Sequence, residues 1–144
     1  FWFRIQDTND IIIFVKAAVA EKQPGDFMAV YRSRAFLIEC KTTRNLTAFP
    51  LYYGSTRSIP KHQVKGGEIL ERNGGIGYIL IRRDEPRNKR VFAITPSQAN
   101  YLYDYYGKKR KSVPWEWFEK NTAEVDRLAK PIRWNLRKLF DSEL

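Results

Sequence analysis

Hydrophobic and polar positions along the chain sort into short apolar runs separated by charged or glycine-containing breaks. "FWFRIQ" at the start predicts a strand, and "IIIFVKAAVA" predicts a second apolar element, strand or short helix. Lys22 to Asp26 form a turn. Residues 27–31 and 35–41 are short and β-rich on either side of "RSR", which predicts a hairpin. The stretch 42–58, "TTRNLTAFPLYYGSTRS", is polar and irregular, with Pro50 and Gly54 as breakers. A helix follows through "KHQVKGGEILERN", capped by Ser58, with Pro60 in its first turn and Gly74 as its stop. Gly66 and Gly67 inside it each cost about 1 kcal/mol relative to alanine. They therefore need a reason, either close helix–sheet packing or close backbone approach to a ligand. "IGYILI" and "VFAI" add two strands across the charged loop "RRDEPRNKR". Thr95 and Pro96 open another helix, "SQANYLYDYY", which Gly107 closes. In the tail, Trp134, Leu136, Leu139 and Phe140 have helical spacing. The expected fold is α/β, a small mixed sheet flanked by helices, with no repeat and no linker. A length of 144 residues suits one domain, with residues 107–144 as a basic, aromatic C-terminal extension.

Charge narrows the partner. The chain has 26 Lys+Arg against 16 Asp+Glu, a net +10, which favours a polyanion, and nucleic acid first. With one cysteine no intrachain disulfide can form, and Cys40, on the apolar side of its strand, reads as a buried structural thiol rather than a reactive one. A single histidine, His62, excludes histidine-pair zinc sites, paired-histidine phosphodiesterases and HNH nucleases. Any hydrolysis then rests on carboxylates and a hard cation. No apolar run is long enough to cross a bilayer, and "IIIFVKAAVA" lacks the pattern of a signal peptide. A cytoplasmic location is expected, whether the protein is nucleoid-associated or of viral origin.

Alternation along "RAFLIECK" locates the candidate chemistry. Phe36, Ile38 and Cys40 share one face, while Leu37, Glu39 and Lys41 share the other, the last two about 7 Å apart along the strand. Asp26 opens the first strand of the hairpin and Glu39 closes the second, so the two carboxylates meet at its open end. An oxygen-lined pair there suits Mg²⁺, or Mn²⁺ in its place. Lys41 can stabilise charge developing on phosphorus, and Gln63, near the start of the next helix, adds a neutral carbonyl ligand. Asp with a following Glu-x-Lys is a weak signal by itself. The competing reading is a hairpin that simply ends in a satisfied Glu–Lys ion pair.

At these residues the sequence becomes familiar. "PGDFMAVYRSRAFLIECK" resembles the PD-(D/E)xK, restriction-endonuclease-like nucleases, and "TTRNLTAFPL", His62-Gln63, "NGGIGYILI" and "RKSVPWEWFEKN" bring it closer to RecU-type Holliday junction resolvases. The likeness spans roughly residues 24–120. It implies a restriction-endonuclease-like core, metal binding by Asp26, Glu39 and Gln63, and transition-state stabilisation by Lys41. The implied activity is Mg²⁺-dependent endonucleolytic hydrolysis of branched recombination or repair DNA, including four-way junctions. Such a resolvase needs two sites, which a homodimer supplies, with Trp2 and Phe3 as candidate contacts. Three departures from the family pattern stand out: Pro24 where the resemblance implies a metal-binding Thr, "YYGSTRS" inserted before His62, and an N-terminal helix, with its further acidic residue, that is absent or cut off. The alternatives are another nuclease on the same core (restriction-like, homing or viral) and a DNA-binding module that has lost hydrolysis.

For DNA contact, the candidates are Arg32 and Arg34 in the hairpin turn, His62 and Lys65 on the Gln63 helix, and the run Lys108, Lys109, Arg110 and Lys111. The cluster Tyr101, Tyr103, Tyr105 and Tyr106 can stack on bases, but at helical spacing Ala99, Leu102, Tyr103 and Tyr106 make a packing stripe, which favours core, and Trp115, Trp117 and Trp134 are likewise packing residues first.

Overall fold

The structure, a computed structural model, describes residues 25–128 and 133–144. The two N-terminal apolar segments, most of the Lys22–Asp26 turn and the Trp2 and Phe3 contacts lie outside the described residues.

The predicted hairpin forms from β1 (Phe27–Tyr31) and β2 (Arg34–Thr43), in antiparallel register from Phe27 opposite Ile38 to Tyr31 opposite Arg34. Arg32 and Ser33 make its tight turn at φ 46° and 64°, the left-handed geometry that two-residue hairpin loops require. The stretch expected to be irregular is more ordered than its polarity suggests. It holds β3 (Ala48–Pro50) and a miniature hairpin of β4 (Tyr52–Tyr53) and β5 (Thr56–Arg57), turned by Gly54 at φ 62°.

Helix α1 (Lys61–Arg72) then carries the chain to β6 (Ile76–Arg83), which lies parallel to β2, so β2–α1–β6 is a crossover unit. Ser58 does not cap α1: its hydroxyl donates to the Pro50 carbonyl at 2.5 Å, and Pro60 holds the cap position without a side-chain bond. Strand β7 (Arg90–Ile94) returns antiparallel to β6. Helix α2 (Pro96–Lys109) starts at a full capping box, Thr95 Oγ1 accepting from the Gln98 N–H and Gln98 Oε1 accepting from the Thr95 N–H. It runs past Gly107, which was expected to stop it, and ends where Lys111 turns left-handed at φ 57°. The remaining elements are β8 (Ser112–Pro114), paired with β3, then α3 (Trp115–Asn121), β9 (Ala123–Val125), the two-residue strands β10 (Arg127–Leu128) and β11 (Arg133–Trp134), and α4 (Leu136–Asp141).

The main sheet has order β1-β2-β6-β7-β9, and only the β2–β6 pair is parallel. Strand β6 is central, and its alternate residues are buried on both faces. Ile76, Tyr78 and Leu80 face a core completed by Phe36, Ile38 and, from the tail, Trp134, Leu136, Leu139 and Phe140. Phe36 stacks on Phe140 at 4.1 Å between ring centroids. Ile79 and Ile81 face the second core, built with Val64 of α1, Leu102 and Tyr103 of α2, and Trp115 and Phe118 of α3. The helical spacing read in the tail is only partly helix, since Trp134 sits in β11 and α4 begins at Leu136.

Gly67 explains its place in α1. A Cβ there would fall 2.7 Å from Pro96 Cγ and 3.7 Å from the Gly77 Cα. Packing of α1 against β6 and the start of α2 therefore accounts for that glycine.

Candidate active site

The site grows from the register of the β1–β2 hairpin. Because Phe27 faces Ile38, the preceding residue, Asp26, lies across from Glu39. Its backbone N–H donates to the Ile38 carbonyl at 2.9 Å, and its Oδ2 accepts from the Cys40 N–H at 2.9 Å. The carboxylate is thus pinned to the β2 backbone beside Glu39. On the other side of that residue Lys41 Nζ lies 2.6 Å from Glu39 Oε1, with the Lys41 side chain 21% exposed and that of Glu39 4%. Cys40 points to the opposite face, packed against the first core, and burial, then the Asp26 and Glu39 charges, push its thiol pKa well up. That is the behaviour of a structural cysteine.

Gln63 reaches the same place from the first turn of α1. It lines a small cavity with Leu37, Glu39, Gly67, Ile79 and Pro96, about 10 Å³, room for roughly one water-sized sphere. Glu39 Oε2 and Gln63 Oε1 are both buried and neither has a hydrogen-bond partner. Two acceptor oxygens left without donors in one cavity are costly unless a cation or water joins them. Glu39 registers the strain: burial raises its pKa above the ordinary 4.5, the Asp26 charge adds to the rise, and Lys41 and Gln63 oppose it. Among the described residues no three His, Cys, Asp or Glu side chains converge, and the oxygen groups beside one another here are the Asp26 and Glu39 carboxylates and the Gln63 amide. Hard oxygens in that number fit Mg²⁺, which takes one or two carboxylates and keeps several waters. Helix α1 has no acidic residue in its first turn, so the positive end of its dipole adds to the attraction for anionic groups beside Gln63.

The predicted DNA contacts scatter. Arg32 and Arg34 sit at the far end of the hairpin, about 15–20 Å along the strands from Asp26. There they hold the C-terminal end of the chain, Arg32 Nη1 lying 3.4 Å from Asp141 Oδ1 and Arg34 Nη1 donating to the Glu143 carbonyl at 3.2 Å. His62 and Lys65 are exposed on α1. Lys108 and Lys109 form the last turn of α2, and Arg110 and Lys111 follow it, all exposed.

The charged loop "RRDEPRNKR" is the second basic candidate of the sequence, and the structure adds Arg44 to it. Parallel pairing sets Thr42 beside Arg82 and Thr43 beside Arg83, so the "RRDEPRNKR" loop lies at the same sheet end as Lys41. Asp84 anchors it, its N–H donating to the Thr43 carbonyl at 2.7 Å. Lys89 lies 2.5 Å from its carboxylate, Arg44 3.8 Å and Arg82 4.0 Å. The Lys89 bond, ahead of these arginines, holds the Asp84 pKa below the ordinary range. Arg44, with 90% of its side chain exposed, is the cation best placed there to meet a phosphate. The signal for this cluster was the β2–β6 pairing, invisible in local sequence.

Known proteins resemble this chain over most of its length. Residues 4–138 match the family described as RecU, Recombination protein U. The Holliday junction resolvase RecU of Shouchella clausii is 33% identical over 118 residues, covering 81% of this chain and 49% of that protein. That of Lactiplantibacillus plantarum is 33% identical over 101 residues, 69% of this chain and 45% of the relative. The Ureaplasma parvum counterpart is 28% identical over 124 residues, 81% and 66% respectively. The chain spans about half the length of the first two.

Proposed function

The chain belongs to the RecU family, and from that premise we propose that it is a divalent-metal-dependent endonuclease that cuts branched recombination DNA, with the four-way junction as its substrate. The observation that carries the reading is the buried, partnerless pair of oxygens on Glu39 and Gln63, beside Asp26 and the Lys41 ammonium. The Glu39–Lys41 ion pair uses one carboxylate oxygen and leaves Glu39 Oε2 and Gln63 Oε1 for a further partner.

Asp26, Glu39 and Gln63 would hold Mg²⁺, which when bound supplies Lewis-acid polarisation of a phosphate oxygen and lowers the pKa of a bound water. Asp26 stays in position through its bond from the Cys40 N–H. Glu39 presents one oxygen to Lys41 and keeps the other free. Lys41, partly open to solvent, offers its ammonium to the charge that builds on phosphorus. Arg44, Lys65 and the exposed face of α1 supply sequence-independent attraction to phosphates. Pro24, at the place where the resemblance implies a Thr, has no side-chain ligand to add to Asp26, Glu39 and Gln63. Two strands must be cut symmetrically across a junction, so the working form is a homodimer with one site per subunit. Such an enzyme acts where recombining DNA is, in the cytoplasm.

The test is cleavage of a four-way junction, a linear duplex and a single strand, with and without Mg²⁺. The expected result is paired, religatable nicks on the junction only with the metal. Equal cutting of linear duplex refutes the junction assignment, and cutting in EDTA refutes the metal.

A further inference from the structure

Helix α2 keeps Tyr103 and Tyr106 of the predicted packing stripe on the core side and leaves Tyr101 and Tyr105 outside it. Tyr103 is 7% exposed and its hydroxyl accepts from the Ile59 N–H at 2.9 Å and donates to the Leu51 carbonyl at 3.0 Å, so it belongs to the core. Tyr101 and Tyr105 do not: they are 48% and 44% exposed on the outer side of the helix. Their rings are nearly parallel, 6° between planes, with centroids 5.6 Å apart. Trp117 of α3 extends the series, 6.1 Å from Tyr101 at 18°. These separations are long for parallel rings in full face contact, so the rings are offset like steps and each leaves part of its face to solvent.

The same side of the helix continues into positive charge. Tyr101, Tyr105 and Lys108 are spaced i, i+4, i+7, and Lys109 follows Tyr105 by four, which puts all of them on one face. Lys109 Nζ sits 4.5 Å from the Tyr105 ring centre. With a rise of about 1.5 Å per residue, Tyr101 lies about 8 Å and Tyr105 about 14 Å along the axis from Pro96, whose side chain lines the Glu39–Gln63 cavity. Trp117 is packed in part against the second core, and Tyr105 meets Tyr106 edge-on at 5.0 Å, yet Tyr101 and Tyr105 keep nearly half of their surface open beside the lysines.

We propose that the stepped rings of Trp117, Tyr101 and Tyr105, continued by Lys108 and Lys109, form a stacking platform for unpaired bases of single-stranded DNA. This rests on the DNA-cutting assignment for its biological setting, where a branch point is the source of unstacked bases. The chemistry stands by itself: every base offers a π-face to an aromatic ring, and the lysines neutralise the phosphates that accompany it. A protein partner is less favoured, because the surface that continues the aromatic strip is a run of four exposed cations, Lys108 to Lys111.

The experiment uses a thymidine oligomer carrying one 2-aminopurine, in EDTA, so that no cleavage is needed for a signal. Wild-type chain should quench the probe. Tyr101→Ala/Tyr105→Ala should restore the fluorescence and weaken single-strand affinity about tenfold or more. Tyr101→Phe/Tyr105→Phe should behave as wild type, and all forms should bind linear duplex within about twofold of one another. Tyr105→Ala alone, which leaves the Trp117 contact intact, provides the same reading if the double variant fails to fold. Unchanged single-strand affinity, or equal losses on single strand and duplex, overturns the platform. A chain that fails to cut junctions but passes here keeps the platform and loses the resolvase assignment, so the two failures are distinct.

Discussion

Replacing Lys41 with alanine strips Glu39 of its one charged partner. Glu39 is 3% exposed, its Oε1 depends on an ammonium at 2.6 Å, and its Oε2 already has no partner. Removing one member of a buried pair costs about 3–5 kcal/mol, and the 21% exposure of the Lys41 side chain argues for the lower end. The variant has an escape, because Glu39 can take up a proton. Holding a carboxyl neutral above its ordinary pKa of 4.5 costs about 1.4 kcal/mol per pH unit. At pH 7 that ceiling is roughly 3.4 kcal/mol, and at pH 5 it is under about 1 kcal/mol. Glu39's folded pKa is already raised and rises further in the variant. The variant is therefore least affected below pH 4.5 and loses stability as pH climbs through the folded value. Urea unfolding of Lys41→Ala should accordingly show its larger loss at pH 7, below about 3 kcal/mol because the wild-type pKa is itself raised, and shrink to under about 1 kcal/mol at pH 5. Turnover per folded molecule should fall on the order of a hundredfold if Lys41 also meets the transition state. Adding Glu39→Gln to the variant should recover stability and leave turnover lost. An equal stability loss at both pH values would show that Lys41 matters through packing rather than pairing. Full turnover per folded molecule would remove it from the chemistry.

Asp26→Asn keeps an oxygen that can accept from the Cys40 N–H, so its Tm should hold within a few degrees. Its Mn²⁺ affinity, read by calorimetry without DNA, should fall at least about tenfold, since the site loses one of two carboxylates; unchanged affinity removes Asp26 from the ligand set. Gly77→Ala would place a Cβ 2.9 Å from the Gly67 Cα and 3.1 Å from Pro96 Cγ, contacts that helix backbone and a ring relieve poorly. It should cost about 2 kcal/mol in urea unfolding and lower turnover by lifting α1, with Gln63, off β2. Unchanged stability would show that the close approach is not a constraint.

How much of this was legible depended on how far apart in the chain the partners lie. The β1–β2 hairpin announced itself through two short apolar runs around "RSR", and once its register was known Asp26 and Glu39 had to meet. Strand alternation put Lys41 on the Glu39 face and Cys40 on the other. The capped start at Thr95 and Pro96 was readable because its reciprocal bonds are local. Ser58 misled for the opposite reason: its hydroxyl bonds to Pro50, eight residues back, across a miniature hairpin whose strands are two residues each. Gly107 was read as a stop, but the left-handed residue is Lys111. Arg32 and Arg34 meet the Asp141 carboxylate and the Glu143 backbone carbonyl, partners more than a hundred residues on that no local pattern shows. Helical spacing set Tyr103 apart from Tyr105, but the bonds of the Tyr103 hydroxyl to Ile59 and Leu51 needed the fold in place.

The most direct measurement of the central claim is single-turnover cleavage of a four-way junction by wild type and Glu39→Gln in Mg²⁺, alongside junction affinity in EDTA. The Glu39–Gln63 metal site predicts that Glu39→Gln loses at least about a hundredfold in cleavage rate while binding the junction within about twofold of wild type. Cleavage by Glu39→Gln at the wild-type rate would contradict it.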